Sequence, residues 1–252
     1  MTATRAHLSS RARAAVFAPL EPTGRAETVA RRLSDAIAVG LLRDEEQLPS
    51  EPDLADRFGV ATVTVREALT TLRRQGLVRT RRGRGGGSFV CAPSDPWERS
   101  LRSRLRTWGL GELRDVADHY AALSGASARL AAERADAEDV GRLRAAAAAL
   151  TGAVSAGERR RAEGRFHIEL AASAQSPRLT RAEIALQTEV GAVLWLPHGD
   201  AAAVREAAAH HDVLVDAVSS QDPALARSSA EEHVRDLFAR VRELHNQAMT
   251  TP

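Results

Sequence analysis

The spacing of apolar residues changes only once along the structured part of this 252-residue chain. From residue 26 onward, apolar side chains recur three and four positions apart, which is the period of an amphipathic helix. The exception lies at residues 77–80 and 88–90, two short apolar segments around a run of glycine and arginine. Short segments of this kind around a glycine-rich turn predict a β-hairpin. We therefore expect a mainly α protein with one small hairpin.

Three helices are predicted before the hairpin. Helical spacing covers residues 26–39. The second helix begins after Ser50, a good N-cap, and Pro52 lies in its first turn, where a missing N–H costs little. The third opens at Thr62 or Thr64. Each helix ends at a glycine: Gly40, Gly59 and Gly76. Three helices followed by a hairpin are the order of a winged helix-turn-helix.

Beyond a linker at Pro93–Pro96, the sequence shows only helical periodicity. It is divided into six or seven segments, which predicts a helical bundle. The breaks lie at residues 109–111, 135–136, 152–157, 176–177, 197–199 and 222–223. The predicted organisation is a disordered tail (1–24), a DNA-binding domain (25–92), a linker with a connecting helix (93–110) and a helical domain (111–248).

Positive charge is concentrated in the first of these domains. Residues 57–90 hold eight arginines and one acid, Glu67, so the formal charge of this segment is +7. Because the net charge of the whole chain is +2, the remaining residues carry −5. The arginines lie at positions 57, 66, 73, 74, 79, 81, 82 and 84. A basic module beside an acidic one is typical of a protein that binds a polyanion through one end. The alternative for any arginine cluster is a solvated face.

The third helix has the composition of a DNA recognition helix. Thr62 and Thr64 can donate to phosphates near its N-terminus, where the helix dipole also favours an anion. Arg66 projects one turn further on. The hairpin adds a basic wing whose glycines allow close approach to a groove. Its candidate contacts are Arg81, Arg82 and Arg84.

Four residues of the C-terminal half are candidate metal ligands. Glu163 and His167 are four apart and share an apolar helix face, while His211 and His233 lie on the apolar faces of two later helices. Burial of a carboxylate and three imidazoles is costly unless something satisfies them. A divalent metal would do so, with Zn²⁺ as the first choice and Ni²⁺ or Mn²⁺ as alternatives. A single histidine on an apolar face is more often a hydrogen-bonded core residue, so a metal-free cluster stays open.

The chain contains one cysteine, Cys91, so it has no intrachain disulfide framework. No apolar stretch reaches the length of a membrane span, and the N-terminus has no apolar core of a secretion signal. These features predict a cytoplasmic protein that does not enter a membrane.

The N-terminal motifs resemble the GntR family of bacterial transcriptional regulators. The matching motifs are Leu48-Pro-Ser-Glu-x-x-Leu-Ala, Gly59-Val, Thr64-Val-Arg-Glu-Ala-Leu-x-x-Leu, Gly76-Leu-Val and Gly83-Arg-Gly. The resemblance covers residues 26–90 and implies a set of DNA-contacting positions: Thr62, Thr64, Arg66, Arg82 and Gly83. Pro52 and Thr62 replace two arginines common in the family, which implies a different operator sequence.

The C-terminal motif Glu163-x-x-Phe-His, with His211 and His233, resembles the FCD domain of the FadR subfamily. That domain is a dimerising helical bundle in which many members hold a metal with an Asp and three His beside a carboxylate effector. By position the ligands fall on Glu163, His167, His211 and His233, with Glu163 in place of the usual Asp. Tyr120 and Ser176 fall at positions that bind the effector in relatives, so both are candidate effector contacts.

The sequence thus predicts a dimeric repressor that binds palindromic double-stranded operator DNA. A small-molecule effector, a carboxylate in the family pattern, would control it through a metal-containing helical domain. Two alternatives remain: a metal-free sensor of the same fold, and a metallohydrolase fused to a DNA-binding head. Because no separate general base is evident beside the ligands, we expect no enzyme activity.

Overall fold

Five stretches of the chain are described by the computed structural model: residues 16–17, 25–83, 86–91, 108–194 and 201–250. The described residues below 95 form one compact unit, and those from 108 onward form another. None of the helices in these stretches has the length and apolarity needed to cross a membrane. Residues 93–107 of the predicted linker lie outside these five stretches. The predicted domain boundaries stay a prediction.

The N-terminal unit begins with three helices, α1 (Arg25–Ala38), α2 (Glu51–Phe58) and α3 (Thr62–Arg74). The Ser50 hydroxyl accepts a hydrogen bond from the Asp53 N–H and so caps α2, as predicted. Gly59 ends α2 with a φ of 65°, a left-handed conformation that favours glycine. The apolar faces of the three helices form a core whose largest fully buried side chains are Leu33, Leu54, Phe58, Leu69 and Leu72.

The predicted hairpin is present, and each strand differs by one residue from the expected range. Strands β1 (Val78–Arg81) and β2 (Gly87–Val90) pair antiparallel, with Arg81 opposite Gly87. Gly87 lies against Gln47, whose Nε2 would approach an added Cβ to 2.8 Å. The same Nε2 donates to the Gly86 carbonyl at 3.1 Å, which fixes the base of the wing.

The prediction of a disordered tail over residues 1–24 is wrong for Val16 and Phe17. Both are buried. The ring of Phe17 lies 5.7 Å from that of Phe58, centroid to centroid, and Arg57 places its guanidinium over the Phe17 ring. Burial of an aromatic ring is strongly favourable, so Phe17 adds one contact to the core of this unit.

The C-terminal unit consists of helices throughout its described residues. They are α4 (Leu110–Arg134), α5 (Ala137–Thr151), α6 (Ala156–Ser173), α7 (Pro177–Leu194), α8 (Ala201–Ser219) and α9 (Pro223–Thr250). Helix α9 packs along α4, α6 packs against α4, α5 and α7, and α8 packs against α5 and α9. The prediction of a mainly α chain with one hairpin is confirmed.

Capping side chains decide where two of these helices begin. Asp136 and Asp139 form a capping box at α5, and Ser155 and Glu158 form another at α6. Because Ser155 caps α6, the helix starts at Ala156, inside the break predicted over residues 152–157. The break predicted at residues 197–199 lies outside the described ranges.

Candidate DNA-binding surface and candidate metal centre

Helix α3 has one buried and one exposed face. Its buried residues are Val65, Ala68, Leu69 and Leu72. The opposite face presents four exposed residues at helical spacing: Val63, Arg66, Glu67 and Thr70. No side chain caps the N-terminus of α3, because the N-cap residue is Ala61. The first-turn N–H groups and the half-buried Thr62 and Thr64 therefore lie at an end that favours an anion.

Arg66 is held on the surface by one ion pair. Its Nε and Nη2 lie 3.1 and 3.0 Å from Glu51 Oε2, and its side chain is 63% exposed. An exposed pair of this kind contributes little stability. The guanidinium can therefore exchange Glu51 for an acceptor on DNA at small cost.

The wing carries its cations on the exposed side. Arg81 pairs with Glu45, which also pairs with Arg79, and the Arg81 guanidinium lies 4.4 Å from the Phe89 ring centroid. Arg82 and Gly83 are exposed at the tip, where Gly83 has a φ of 96°. Arg84, the remaining predicted contact, lies outside the described residues.

The four predicted metal ligands meet at one point inside the C-terminal unit. Glu163 Oε1 lies 3.1 Å from His167 Nε2 and 3.0 Å from His233 Nε2. Its other oxygen, Oε2, lies 3.1 Å from His211 Nε2. None of the four side chains is more than 3% exposed. Helices α6, α8 and α9 thus bring a carboxylate and three imidazoles together away from bulk solvent.

Two ligand atoms of this cluster, Glu163 Oε2 and His211 Nε2, are buried without a hydrogen-bond partner, as are the Nδ1 atoms of His167 and His211. Glu163 Oε2 and His211 Nε2 are close, yet their geometry is not that of a hydrogen bond. The Nε2 atoms of His167 and His233 face each other at 3.2 Å. Four ligand atoms within 4.8 Å of one another could hold one metal ion, which would satisfy the two unpaired atoms. The residues present therefore fit a divalent metal.

Electrostatics inside the cluster favour an ionised carboxylate. Burial by itself would raise the pKa of Glu163, but the charge of His211 and hydrogen bonds with the histidines hold that pKa well below its usual value. Burial lowers the pKa of His233 to about 4, against the opposing effect of Glu163. Burial also acts to lower the pKa of His167, but the hydrogen bond with Glu163 and the charges of Glu163 and Glu183 together raise it. A bound metal would need the carboxylate ionised and all three imidazoles neutral, so metal binding would have to displace the proton that Glu163 favours on His167.

Tyr120 lies beside the cluster in a second buried polar group. Its ring is 5.5 Å from that of His167, centroid to centroid. Gln187 Nε2 donates to Tyr120 Oη at 2.6 Å and to Glu183 Oε1 at 2.8 Å. Glu183 is only 1% exposed, and burial raises its pKa. Helices α4 and α7 therefore contribute a tyrosine, an amide and an acid next to the metal ligands.

Comparisons with known proteins agree on one family. The profile described as "Bacterial regulatory proteins, gntR family" matches residues 25–87, and the FCD domain profile matches residues 115–236. The chain is 44% identical over 222 residues to RmpR of Mycobacterium gastri, whose name describes an HTH-type transcriptional regulator; the match covers 87% of this chain and 81% of RmpR. The chain belongs to the GntR family. It is a transcriptional regulator with an FCD domain.

Two further similarities fit this GntR regulator. It is 36% identical over 106 residues to the Glc operon transcriptional activator of Escherichia coli K12, a match that covers 42% of this chain and 41% of the activator. Among solved structures, E. coli McbR/YncC has the same fold, with a TM-score of 0.53 and 18% identity over 89% of this chain and 100% of that one. The resemblance stated from the motifs is therefore confirmed.

Of the two candidate effector contacts in this GntR regulator, Tyr120 lies beside the cluster and Ser176 caps a helix. The Ser176 hydroxyl accepts from the Leu179 N–H at 3.4 Å, at the start of α7. Among the described residues, no hydrogen bond or ion pair joins Ser176 to the cluster. Its role as an effector contact stays a prediction.

Three residues at the DNA-binding surface or beside the buried cluster were not among the candidates selected from the sequence. Glu183 and Gln187 are four apart on α7, on a face that also buries Leu186 and Val190. The same reasoning that selected Glu163 and His167 would have found this pair. Val63, 57% exposed on α3, carries a weaker signal, because exposed valines are common.

Proposed function

We propose that this protein is a dimeric, ligand-responsive repressor whose FCD domain holds one divalent metal ion. The observation that carries the proposal is the buried Glu163 carboxylate with three imidazole Nε2 atoms within 3.1 Å of it, in a chain with a DNA-binding head. The role of repressor is part of the proposal, since the named relatives include an activator.

The DNA contacts follow from the exposed face of α3 and from the wing. The proposed set is Thr62, Thr64, Arg66, Arg81, Arg82, Gly83 and Arg84. One recognition helix reads only a few base pairs, so a dimer on a palindromic operator doubles the site. Phosphate contacts by several arginines make such binding strongly dependent on salt.

In the sensing domain, Glu163, His167, His211 and His233 would hold the metal, for which Zn²⁺ is the first choice. Bound there, the ion supplies a Lewis-acid site for an effector oxygen, such as that of a carboxylate. Tyr120 can orient the effector through its hydroxyl, and Gln187 fixes that hydroxyl. Ser176 is the other proposed effector contact. Effector binding must favour one arrangement of the two heads, usually by about 1–3 kcal/mol.

We assign the metal a sensing role and not a catalytic one. The family of this chain consists of regulators, and the carboxylate at the centre of the cluster is itself a ligand.

A gel-shift assay with the full-length protein and DNA from its own locus tests the proposal. We expect retardation at low salt, and we expect Arg66→Ala to weaken binding by about 1–3 kcal/mol, the cost of one good base contact. Arg227→Ala, which removes an exposed arginine on α9, is the matched control and should bind normally. Transcription from the same fragment should fall when the protein is added. An absence of retardation even at low salt would refute the function.

A further inference from the structure

The buried cluster raises the question of how a metal ion reaches it. All four proposed ligands are at most 3% exposed, and His233 is the most exposed of them. An ion that leaves water loses its hydration in steps, so its path must offer polar groups that replace the lost water. A metal site therefore needs an access path as well as ligands.

A second cluster of possible metal-ligand atoms lies beside His233. Glu206 and His210 on α8 and Asp236 on α9 place one ligand atom each within 4.8 Å of one another. The His210 ring is 5.3 Å from the His233 ring, centroid to centroid. Together with His233 and Arg240, these residues line a cleft of about 10 Å³. The cleft has room for about one water-sized sphere and ends at a ligand of the buried cluster.

The donor set of this cleft suits the same ions as the buried cluster. Two carboxylates and an imidazole bind divalent transition metals. Glu206 and His210 repeat the four-residue spacing of Glu163 and His167, so each pair shares one helix face. An ion could thus be passed from one Glu–His pair to the other without a change of ligand chemistry.

The cleft is also suited to release an ion. The side chain of Glu206 is 51% exposed and that of Asp236 48%, so solvent weakens their attraction for a cation. Arg240 pairs with Glu206 and adds a positive charge beside the site. The buried cluster, in contrast, has its carboxylate shielded from water. An ion in the cleft would therefore be held more weakly than one inside.

We propose that Glu206, His210 and Asp236 form an access site, where a divalent transition-metal ion binds before it moves past His233 into the buried cluster. This inference rests on the proposed metal occupancy of the cluster. The alternative is an ordinary surface ion pair between His210 and Asp236, whose nearest atoms are 3.4 Å apart.

Rates of metal uptake distinguish the two. Metal-free, full-length protein is mixed with Zn²⁺ bound to a coloured indicator, and both the rate of transfer and the final stoichiometry are recorded. The variants are His210→Asn and the double variant Glu206→Gln with Asp236→Asn, which keeps the His210 ring in place. We expect both to take up zinc about tenfold more slowly. The double variant loses the negative charges of the cleft, and charges that line a cleft raise association rates by at least this factor. His210→Asn loses the imidazole ligand of the access site. The final stoichiometry should stay at one ion per chain.

A double variant, Asp212→Asn with Glu232→Gln, is the control. These exposed acids neighbour His211 and His233 in sequence but do not line the cleft, so uptake should keep the wild-type rate. Wild-type rates in the cleft variants would overturn the access site and leave the buried centre intact. A reduced final stoichiometry in the cleft variants would also overturn it, because these residues would then support the buried centre directly. No zinc uptake by the wild type would overturn both proposals.

Discussion

At the scale of single residues, the departure from aspartate at position 163 is compatible with metal binding. The glutamate is one methylene longer, yet its two oxygens reach in different directions. Oε1 contacts His167 and His233, and Oε2 faces His211. Because Glu163 and His167 are four apart on α6, the longer side chain still ends beside the imidazole of its own helix. A metal ion bound here could therefore keep the same four ligands despite the longer acid.

Glu183 gives a prediction on pH. Burial raises the pKa of Glu183 in the folded protein, although His167 opposes this. An acid with a raised folded pKa favours folding below its unfolded pKa, and this contribution is lost as pH rises through the folded value. Glu183→Gln removes the ionisation. In metal-free protein, the variant should match the wild type near pH 5 and unfold at higher urea near pH 8.

Urea unfolding curves at the two pH values, followed by tryptophan fluorescence, measure this difference. Glu243→Gln, which changes an exposed acid on α9, should leave the pH dependence of unfolding as it is in the wild type. A Glu183→Gln protein that loses stability equally at both pH values would show that the hydrogen bond with Gln187, and not the charge, decides the role of Glu183.

At the scale of elements, helix α3 offers DNA an apolar contact as well as charges. Val63 is 57% exposed on the face that carries Arg66 and Glu67. In the major groove, the thymine methyl is the apolar group that a short side chain can contact. We expect replacement of one symmetric pair of operator thymines by uracil to weaken wild-type binding about fourfold per methyl buried. For Val63→Ala, the same replacement should have no effect.

Uracil scanning of the operator by gel shift measures this coupling between one methyl and one side chain. Val154→Ala, which shortens an exposed valine of the C-terminal unit, should respond to uracil as the wild type does. If Val63→Ala stays as sensitive to uracil as the wild type at every thymine, Val63 does not contact a thymine methyl.

The helices also show which features could be predicted from the sequence and which could not. Helix starts at Ser50 and Asp136 follow from side chains that satisfy local N–H groups, so a local pattern suffices. The four members of the buried cluster could be selected from the sequence because each lies on an apolar helix face; their role as metal ligands stays a proposal. The position of Gln187 between Tyr120 and Glu183 could not be predicted, because it depends on how α4 and α7 pack, which spacing along one helix does not specify.

At the scale of the whole molecule, tryptophan fluorescence offers a way to follow the C-terminal unit. The three tryptophans, at positions 97, 108 and 195, all follow residue 94, and Trp108 lies among the described residues of the C-terminal unit. Trp108 is buried there, and its carbonyl oxygen lies 2.8 Å from His245 Nε2. Unfolding of the sensing domain can therefore be followed in the full-length protein.

Metal removal should destabilise that domain in a way that tryptophan fluorescence detects. A ligand that binds only the folded state stabilises it by about 2.7 kcal/mol when present at a hundred times its Kd. Chelation should therefore lower the midpoint of the fluorescence transition, and zinc should restore it. The double variant His211→Ala with His233→Ala should abolish the response. His119→Ala, which changes an exposed histidine on α4, should keep it.

Elemental analysis should find one zinc ion per wild-type chain. Less than about a tenth of an equivalent of any transition metal, together with an unfolding transition that chelation does not change, would identify a metal-free sensor. In that case the unpaired Glu163 Oε2 and His211 Nε2 would have to be satisfied by the effector itself.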